Sequence, residues 1–436
     1  MGLIDEILRA GNLTEASRDV IRNKGAGGVD RMYVEDLKEY LDNNRDSLTG
    51  QIRKGEYIPQ PIRGKEIPKG NEKVRLLGIP TVVDRMLQQA VLRGIMPQYE
   101  YMFSTYSYGF RPQRNSHQAI QKSLEYVNSG YQHIVEIDLK NFFDEVDHVM
   151  LLQMLYRKIK CRATMTLIRR WLRVPIEQNG KLVKRRKGVP QGSPISPLLS
   201  NIILHELDDY MEAKGMKFVR YADDFSIYCK MKSQAKNQGN EVFKFLRDKL
   251  KLPINREKSG IRRPINFQIL GYGFVPTYRK GEKGKYQLVV TKKRWKALKM
   301  KLKEITRKTI PMSFNERVVK LNQVIRGWVN YFKYASISQK LIEIDGWLRN
   351  RLRYCIWHHW KKPERKRKNL IRLGIDHDMA YAWSRTRMGG WAVAQSPILG
   401  TTITILRLKK RSFVSLSETY QKVSPLFNSY PLFPLV

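Results

Sequence analysis

Apolar positions along the first 290 residues follow two different spacings, which alternate along the chain. Apolar residues that recur three and four positions apart predict amphipathic helices over residues 81–92, 116–130 and 233–250. Short runs rich in β-branched and aromatic residues predict strands over residues 133–139, 218–229 and 269–274. Together with short helices in the first 50 residues, this alternation predicts an α+β fold.

From residue 291 onward the pattern changes to longer helices. Amphipathic helices with aromatic residues on their apolar faces are predicted over residues 294–308, 315–334 and 341–360. Aromatic stripes of this kind form core more often than binding surface, so they predict a helical bundle with a basic exterior. Residues 361–372 carry seven basic residues and one acidic residue, which marks a boundary. Beyond it, a strand over Thr401–Leu406 and the stretch 414–423 predict a small appended domain.

The strongest chemical signal lies in residues 218–229, which predict a β-hairpin. Its tight turn carries Asp223 and Asp224 between two apolar runs. A third acid, Asp138, ends the predicted strand over residues 133–139. The alternative for the adjacent pair is an Asx turn, in which the aspartates bond only their own backbone.

Three loops between these elements carry glycine or basic residues. The loop over residues 188–201 leaves free N–H groups near Gly192, because prolines occupy the first turn of the helix that follows. A hairpin with its turn at residues 69–73 places Lys69 and Arg75 where phosphate can bind, or else forms a solvated sheet edge. The glycine-rich loop over residues 24–30 indicates either a close approach or a flexible connector.

The charge balance narrows the class of partner. Lys plus Arg outnumber Asp plus Glu by 81 to 40, which gives a net charge of +41. This excess is spread along the chain and favours contact with the phosphates of a polyanion. Residues 107–117 interleave aromatic residues with arginines, a mixture that suits nucleic acid. The chain has no apolar run of 18 residues, so no membrane partner is expected.

The cysteines and the N-terminus predict the compartment. Three widely spaced cysteines indicate reducing conditions and argue against a zinc site: Cys161, Cys229 and Cys355. Asp5 and Glu6 interrupt the apolar region that a signal peptide would need. We therefore expect an intracellular protein.

The three acids suit one chemistry, nucleotidyl transfer. This reaction uses two divalent ions about 4 Å apart, held by carboxylates from neighbouring strands. One ion lowers the pKa of the attacking 3′-hydroxyl, and the other stabilises the leaving pyrophosphate. Hard oxygen ligands favour Mg²⁺, with Mn²⁺ as an alternative ion. We expect Asp138 and Asp223 to bridge the two ions, with Asp224 as an auxiliary ligand.

Ordered motifs then connect the chain to a known family. They are Glu66–Lys69, Leu77–Arg85, Tyr108–Pro112, Asp138–Asp144, Pro190–Ile202, Tyr221–Asp224 and Gly327–Phe332. With these motifs the chain resembles, over nearly its whole length, the reverse transcriptases encoded by group II introns, also called intron maturases. Ser193 stands where the family often has a second glycine, a change that keeps the residue small.

The resemblance implies a right-hand polymerase fold with an antiparallel palm sheet. It implies an N-terminal extension over residues 1–50 that lies over the template, fingers and palm over 51–290, a helical thumb or maturase domain over 291–360, and a basic DNA-binding domain over 361–436. The paired cysteines and histidines of the endonuclease that ends the family's larger members have no counterpart here. The chain is therefore similar to the compact bacterial class that lacks this domain.

The resemblance also implies roles for single residues. Lys69 and Arg75 would hold the incoming triphosphate, and Phe143 would stack under its sugar and reject a 2′-hydroxyl. Ordinary palm core packing is the alternative for Phe143. The remaining implied roles are nucleotide pocket for Gln191 and Gly192, protonation of pyrophosphate for Lys258, template contact for Arg111, and primer grip for Leu270 and Gly271.

The activity that follows is RNA-directed DNA polymerisation, with binding of group II intron RNA to assist splicing and retrohoming. The implied partners are intron RNA, an RNA template with a DNA primer, target DNA and dNTPs, in a bacterial cytoplasm and at the nucleoid when DNA is engaged. Two alternatives stay open. One is a catalytically silent RNA-binding splicing factor, and the other is a domesticated, defence-associated or repair-associated reverse transcriptase.

Overall fold

The computed structural model describes residues 2–70, 73–278 and 284–428. The chain forms two compact units, Met1–Arg263 and Pro264–Val436. Within the described residues, every helix falls short of the length or the apolar character that crossing a bilayer requires.

The first unit combines helices with two four-stranded sheets. Its helices are α1 Leu3–Ile7, α2 Ala10–Arg22, α3 Leu37–Lys54, α4 Val82–Glu100, α5 Ser116–Asn128, α6 Phe142–Glu145, α7 His148–Lys158, α8 Arg162–Arg173, α9 Ser196–Ala213 and α10 Lys232–Asp248, with a 3₁₀ turn at Val34–Asp36. Its strands are β1 Ile62–Gly70, β2 Lys73–Ile79, β3 His133–Ile137, β4 Ile176–Gln178, β5 Lys181–Val183, β6 Lys217–Tyr221, β7 Asp224–Cys229 and β8 Gly260–Arg262.

The sheet that positions the candidate site is fully antiparallel, with strand order β6-β7-β3-β8. Val135 pairs with Ile227 and Ile137 pairs with Phe225, so these side chains share one face of the sheet. All four are buried in the main hydrophobic core. Burial of this face fixes the register, because a slip of one residue would turn the apolar set toward solvent.

The other sheet has strand order β2-β1-β4-β5. Its β1 and β2 form the predicted basic hairpin, in which Ile67 pairs with Arg75. In this sheet β1 pairs with β4 in parallel, and the other pairs are antiparallel. The prediction of an α+β fold is confirmed by these largely antiparallel sheets together with the helical second unit.

The glycine-rich loop over residues 24–30 packs against the start of α4. A β-carbon on Gly28 would lie 2.7 Å from the Cα of Thr81, and one on Gly25 would overlap the guanidinium of Arg85. The Nη2 of Arg85 also donates to the carbonyl of Ala26 at 2.8 Å. Of the two interpretations of this loop, the structure shows the close approach, and the partner is the protein itself.

The second unit begins with a small sheet and continues as helices. Its strands are β9 Gln268–Ile269, β10 Tyr272–Pro276 and β11 Tyr286–Val290, after a 3₁₀ turn at Pro264–Asn266. Its helices are α11 Lys292–Ile305, α12 Phe314–Tyr331, α13 Ser338–His359, α14 Pro363–Arg372, α15 His377–Ser384, α16 Gly390–Gln395, α17 Pro397–Thr402, α18 Ile405–Lys410, α19 Leu416–Val423 and α20 Pro425–Asn428.

The aromatic stripes on α11 and α12 pack against one another. The ring centroids of Trp295 and Trp328 are 4.7 Å apart, and those of Trp328 and Phe332 are 4.6 Å apart. The interpretation of these residues as core therefore agrees with the packing.

The predicted strand over Thr401–Leu406 is wrong, because this segment is the end of α17 and the start of α18. The hydroxyls of Thr401 and Thr402 donate to carbonyls one turn earlier, at 2.8 and 2.7 Å. The hydroxyl of Thr404 accepts from the backbone N–H of Arg407 at 3.3 Å and caps α18. These local bonds replace the strand that the β-branched residues suggested.

A buried carboxylate on α13 holds α19 in place. Asp345, which is 1% exposed, accepts hydrogen bonds from the backbone N–H groups of Leu416 and Ser417 at 2.8 and 2.9 Å. The hydroxyls of Ser415 and Ser417 also donate to it, at 2.5 and 2.7 Å. Asp345 thus satisfies N–H groups at the helix start that have no partner within the helix.

We expect Asp345→Ala to lower the free energy of unfolding of the second unit by about 3 kcal/mol, because several buried donors lose a charged acceptor. Urea unfolding followed by tryptophan fluorescence measures this, since all tryptophans except Trp171 lie beyond residue 290. The control is Glu343→Ala, which breaks an exposed pair with Lys340 and should cost at most about 0.5 kcal/mol. Equal stability of the two variants would contradict the role of Asp345.

Candidate active site

The central sheet of the first unit brings the three predicted acids to one end. Because β3 and β7 are antiparallel and Ile137 pairs with Phe225, the next residues, Asp138 and Asp224, meet at the same edge. Asp223 lies in the turn between β6 and β7. Acids that are 85 residues apart in sequence are therefore neighbours in the fold.

The turn between β6 and β7 has two residues, since Tyr221 pairs with Asp224 across it. Ala222, its first residue, has a φ of 58° in the left-handed region. Within the described chain, neither Asp223 nor Asp224 accepts a hydrogen bond from the turn backbone through its carboxylate. This geometry differs from the Asx turn that was the alternative interpretation.

The acids at this edge act on one another electrostatically. Loss of hydration and, after it, the charges of Asp223, Asp138 and Glu136 together raise the pKa of Asp224 to about 6, whereas Lys258 opposes the rise. A cluster of like charges with this effect attracts cations. Glu136 was missed by the sequence interpretation, although its position two residues before Asp138 in a strand puts it on the same face.

A turn of the chain places Lys258 beside the acids. Its Nζ lies 3.6 Å from the Oδ2 of Asp138, and its side chain is 66% exposed. The turn is fixed to Asp138 by two further bonds. The backbone N–H of Asn255 donates to the carbonyl of Asp138 at 2.8 Å, and the N–H of Asp138 donates to the hydroxyl of Ser259 at 3.0 Å.

Gln191, Gly192 and Arg75 come together where the loop before α9 contacts β2. The Nε of Arg75 donates to the side-chain carbonyl of Gln191, and the backbone N–H of Gly78 donates to the backbone carbonyl of Gln191 at 2.7 Å. Gly192 has a φ of 113°, and a β-carbon there would lie 2.5 Å from the carbonyl of Gly78. Only glycine allows this contact, which aligns the loop with the basic hairpin.

Phe143 is half-buried on α6. Its ring contacts Phe142 edge to face with centroids 5.3 Å apart, and its carbonyl accepts from the N–H of Val189 at 2.7 Å. A β-carbon on Gly188 would lie 2.9 Å from the same carbonyl. The backbone of Phe143 is thus fixed by Gly188 and Val189 in the loop before α9, while its side chain stays partly accessible.

Arg111 is placed in a way that favours a structural role over the predicted template contact. It is 8% exposed and pairs with the carboxylate of Glu100 at 2.8 Å. Its Nη1 donates to the carbonyls of Ser104 and Ser107, at 2.5 and 2.8 Å, and its guanidinium lies over the ring of Phe103. The donors of this guanidinium are therefore already used within the protein.

Leu270 and Gly271 belong to the second unit, where they form the turn between β9 and β10. Their φ values are 52° and 89°, so the segment 269–274 is a hairpin with a turn instead of the single strand that the sequence predicted. The hydroxyl of Tyr331 donates to the carbonyl of Leu270 at 2.9 Å. The side chain of Lys69 lies outside the described residues.

The residues present fit divalent metal ions in their chemistry. Carboxylates are the oxygen ligands that Mg²⁺ prefers. In the part of the chain that the structure describes, no three His, Cys, Asp or Glu side chains converge as a complete metal-binding group. Asp138, Asp223 and Asp224 nevertheless supply carboxylate oxygens at the same edge of the sheet.

Two family models match the chain. Residues 67–274 match the reverse transcriptase (RNA-dependent DNA polymerase) family, and residues 295–374 match the maturase-specific domain of group II introns. The first match contains the three acids, most of the basic hairpin and the loop before α9 with Gly188 and Gly192.

Relatives with curated descriptions agree with these models. The chain is 34% identical over 289 residues to protein YkfC of Escherichia coli (strain K12), covering 57% of this chain and 76% of YkfC. It is 37% identical over 214 residues to the group II intron-encoded protein LtrA of Lactococcus lactis subsp. cremoris, covering 47% of this chain and 34% of LtrA. The match to LtrA thus spans about a third of that protein.

Among solved structures, a chain of a partial Cas6-RT-Cas1–Cas2 complex is similar with a TM-score of 0.37 and 26% identity, covering 58% of this chain and 43% of that chain. Similarity of this size is too weak to decide the fold.

The raised pKa of Asp224 predicts a pH-dependent gain of stability in Asp224→Asn without divalent metal. Since the folded pKa of about 6 exceeds the ordinary value of 3.8, the wild type loses stability as pH rises between these values. Asp224→Asn keeps this stability. The difference in free energy of unfolding between the variant and the wild type should therefore grow from pH 5 to 6.5 and level off at about 1 kcal/mol, a figure that allows for solvent screening.

Urea unfolding in EDTA at several pH values measures this difference. The control is Asp46→Asn, whose side chain is 99% exposed and should show no such growth. A difference between Asp224→Asn and wild type that is constant with pH would contradict the mutual repulsion of the acids.

Proposed function

This chain belongs to the group II intron-encoded reverse transcriptases and maturases, and on that premise we propose that it is an RNA-directed DNA polymerase that copies RNA into cDNA. The proposal rests chiefly on one observation, the meeting of Asp138, Asp223 and Asp224 at one edge of an antiparallel sheet. We propose further that the protein binds group II intron RNA and assists splicing and retrohoming.

Asp138 and Asp223 would hold two divalent cations, Mg²⁺ or Mn²⁺, with Asp224 as an additional ligand. Bound there, the cations would activate the 3′-hydroxyl of the primer and neutralise charge on the departing pyrophosphate. Lys258, beside Asp138 and largely exposed, carries a proton on Nζ that it can donate to the pyrophosphate.

The incoming dNTP would lie between the basic hairpin, formed by β1 and β2, and the loop before α9 that contains Gly192. Arg75 and Lys69 supply positive charge for the triphosphate, and the bond from Arg75 to Gln191 ties the hairpin to the loop that contains Gly192. The accessible part of the Phe143 ring is suited to lie under the sugar, where a 2′-hydroxyl would collide with it.

The remaining partners are nucleic acids. The net charge of +41 supports contact with long stretches of phosphate, as in intron RNA, an RNA template with its DNA primer, and target DNA. We assign primer contact to Leu270 and Gly271, the thumb to residues 291–360 and DNA contact to residues 361–436. The matched maturase domain over residues 295–374 overlaps both of the last two segments.

We expect Asp223→Asn and Asp138→Asn each to reduce primer extension on an RNA template by at least about 10³-fold, because each change removes an anionic metal ligand. RNA binding, measured by filter retention, should stay within about twofold, since the basic surface is unchanged. The control is Asp248→Asn on the exposed end of α10, which should extend primers at the wild-type rate.

Retained extension in Asp223→Asn would overturn the assignment of this residue. RNA binding by a wild type that never extends a primer would instead favour a catalytically silent splicing factor.

We expect Phe143→Val to incorporate ribonucleotides at least about tenfold more efficiently relative to deoxynucleotides, because the smaller side chain leaves room for the 2′-hydroxyl. Single-nucleotide incorporation with dNTP and rNTP measures the ratio. The control is Tyr156→Val at an aromatic side chain that is 56% exposed. An unchanged ratio in Phe143→Val would return this residue to ordinary core packing.

A further inference from the structure

A fully buried ion pair lies next to the turn that carries the acids. The guanidinium of Arg220 on β6 binds the carboxylate of Asp208 on α9 with two parallel bonds, Nε to Oδ1 at 2.8 Å and Nη2 to Oδ2 at 2.5 Å. Both side chains are 0% exposed. Neither residue carries a role in the proposed reaction.

The third nitrogen of the guanidinium is directed at the turn. The Nη1 of Arg220 donates to the carbonyl of Ala222 at 3.1 Å and to the side-chain carbonyl of Asn201 at 2.9 Å. The carbonyl of Ala222 belongs to the peptide that joins it to Asp223. One guanidinium therefore connects the helix α9 to the backbone immediately before the first acid of the turn.

Asn201 extends the network to the other side of the turn. Its Nδ2 donates to the carbonyl of Gly109 at 2.9 Å. A β-carbon on Gly109 would overlap the backbone nitrogen of Ala222, so the two backbones are in direct contact there. Ala222 is thus held from one side by a hydrogen bond and from the other by the Gly109 backbone.

The backbone of Arg220 is fixed as well. Its N–H donates to the carbonyl of Tyr106 at 2.9 Å, and its carbonyl accepts from the N–H of Tyr108 at 2.9 Å. Residues 106–108 therefore pair with the edge strand β6 at Arg220, two residues before Ala222 in the turn.

Stability alone does not account for this arrangement. Replacing a buried ion pair with apolar residues of similar volume is often neutral or favourable, because burial removes the hydration of both charges. A planar guanidinium differs from an apolar side chain in the direction of its donors, which here fix three groups at once: the carboxylate of Asp208, the side-chain carbonyl of Asn201 and the backbone carbonyl of Ala222. The turn needs such fixing because Ala222 adopts the left-handed region, which side chains disfavour.

We propose that Arg220, Asp208 and Asn201 form a positioning network that sets where Asp223 and Asp224 stand relative to Asp138. The network acts through the Ala222 peptide and touches neither metal nor substrate. This inference rests on the proposed function, since the distance between the acids matters only if they hold cations together.

The test removes the ion pair without leaving a charge behind. In the double variant Arg220→Met with Asp208→Leu, we expect the urea midpoint to stay near that of the wild type or to rise. The Mg²⁺ concentration for half-maximal primer extension should rise at least about fivefold, and kcat should fall about 10²-fold, as for a misplaced reacting group. The KM for dNTP should change by less than about threefold, because the hairpin that binds the triphosphate is intact.

A second variant guards against misfolding of the double variant. Asn201→Ala keeps the ion pair but cuts the link to Gly109, and we expect it to shift the Mg²⁺ dependence in the same direction. The matched control is Leu13→Ala on α2, a buried residue of the same unit. It should lower the urea midpoint and leave the Mg²⁺ dependence unchanged.

Direct binding of Mn²⁺, measured by electron paramagnetic resonance without nucleic acid, gives a readout besides activity. Weaker Mn²⁺ binding in both variants supports positioning, even if the wild type never extends a primer, in which case the proposed polymerase function alone fails. The opposite result is that the wild type extends primers and the folded variants match it in Mg²⁺ dependence and in Mn²⁺ binding. This result would overturn the positioning role.

Discussion

The antiparallel pairing of β3 with β7 is the constraint on which the candidate site depends. Its register is fixed by the apolar face that buries Val135, Ile137, Phe225 and Ile227, and this face cannot shift by one residue without exposure to water. Because the register is fixed, Asp138, which directly follows β3, lies beside Asp224, the first residue of β7. The apolar face of the sheet thus determines where the charges meet.

Close backbone contacts at glycines bring the remaining elements to that edge. Gly192 lets the loop before α9 approach β2, Gly188 lets it approach α6, and Gly109 lets a third segment contact the Ala222 turn. In each case a β-carbon would lie within 3 Å of backbone atoms, so the contact requires the absence of a side chain. Close backbone packing at these glycines therefore brings the loops together around the acids.

The charge of the candidate site is opposite in sign to the net charge of the whole chain. The protein has a net charge of +41, yet Glu136 and the three aspartates gather at one sheet edge, where burial and the charges of Asp223, Asp138 and Glu136 raise the pKa of Asp224. Positive charge suits binding to phosphates, whereas a local group of acids would repel them unless cations lie between. This contrast is the physical reason why the proposed function combines nucleic acid binding with metal-assisted chemistry.

The sequence by itself predicted the α+β class, the hairpin with its acids and the helices α4, α5 and α10 to α13, because periodicity and turn residues are local properties of the chain. It failed at Thr401–Leu406, where threonine hydroxyls bond to the helix backbone, and it gave no sign of Arg220, whose partners lie on α9 and in the Gly109 segment. Arg111 shows the same limit, since an arginine beside aromatic residues is equally suited to RNA and to a buried carboxylate. Only the tertiary structure decides between such partners, because burial and long-range contacts depend on parts of the chain that are distant in sequence.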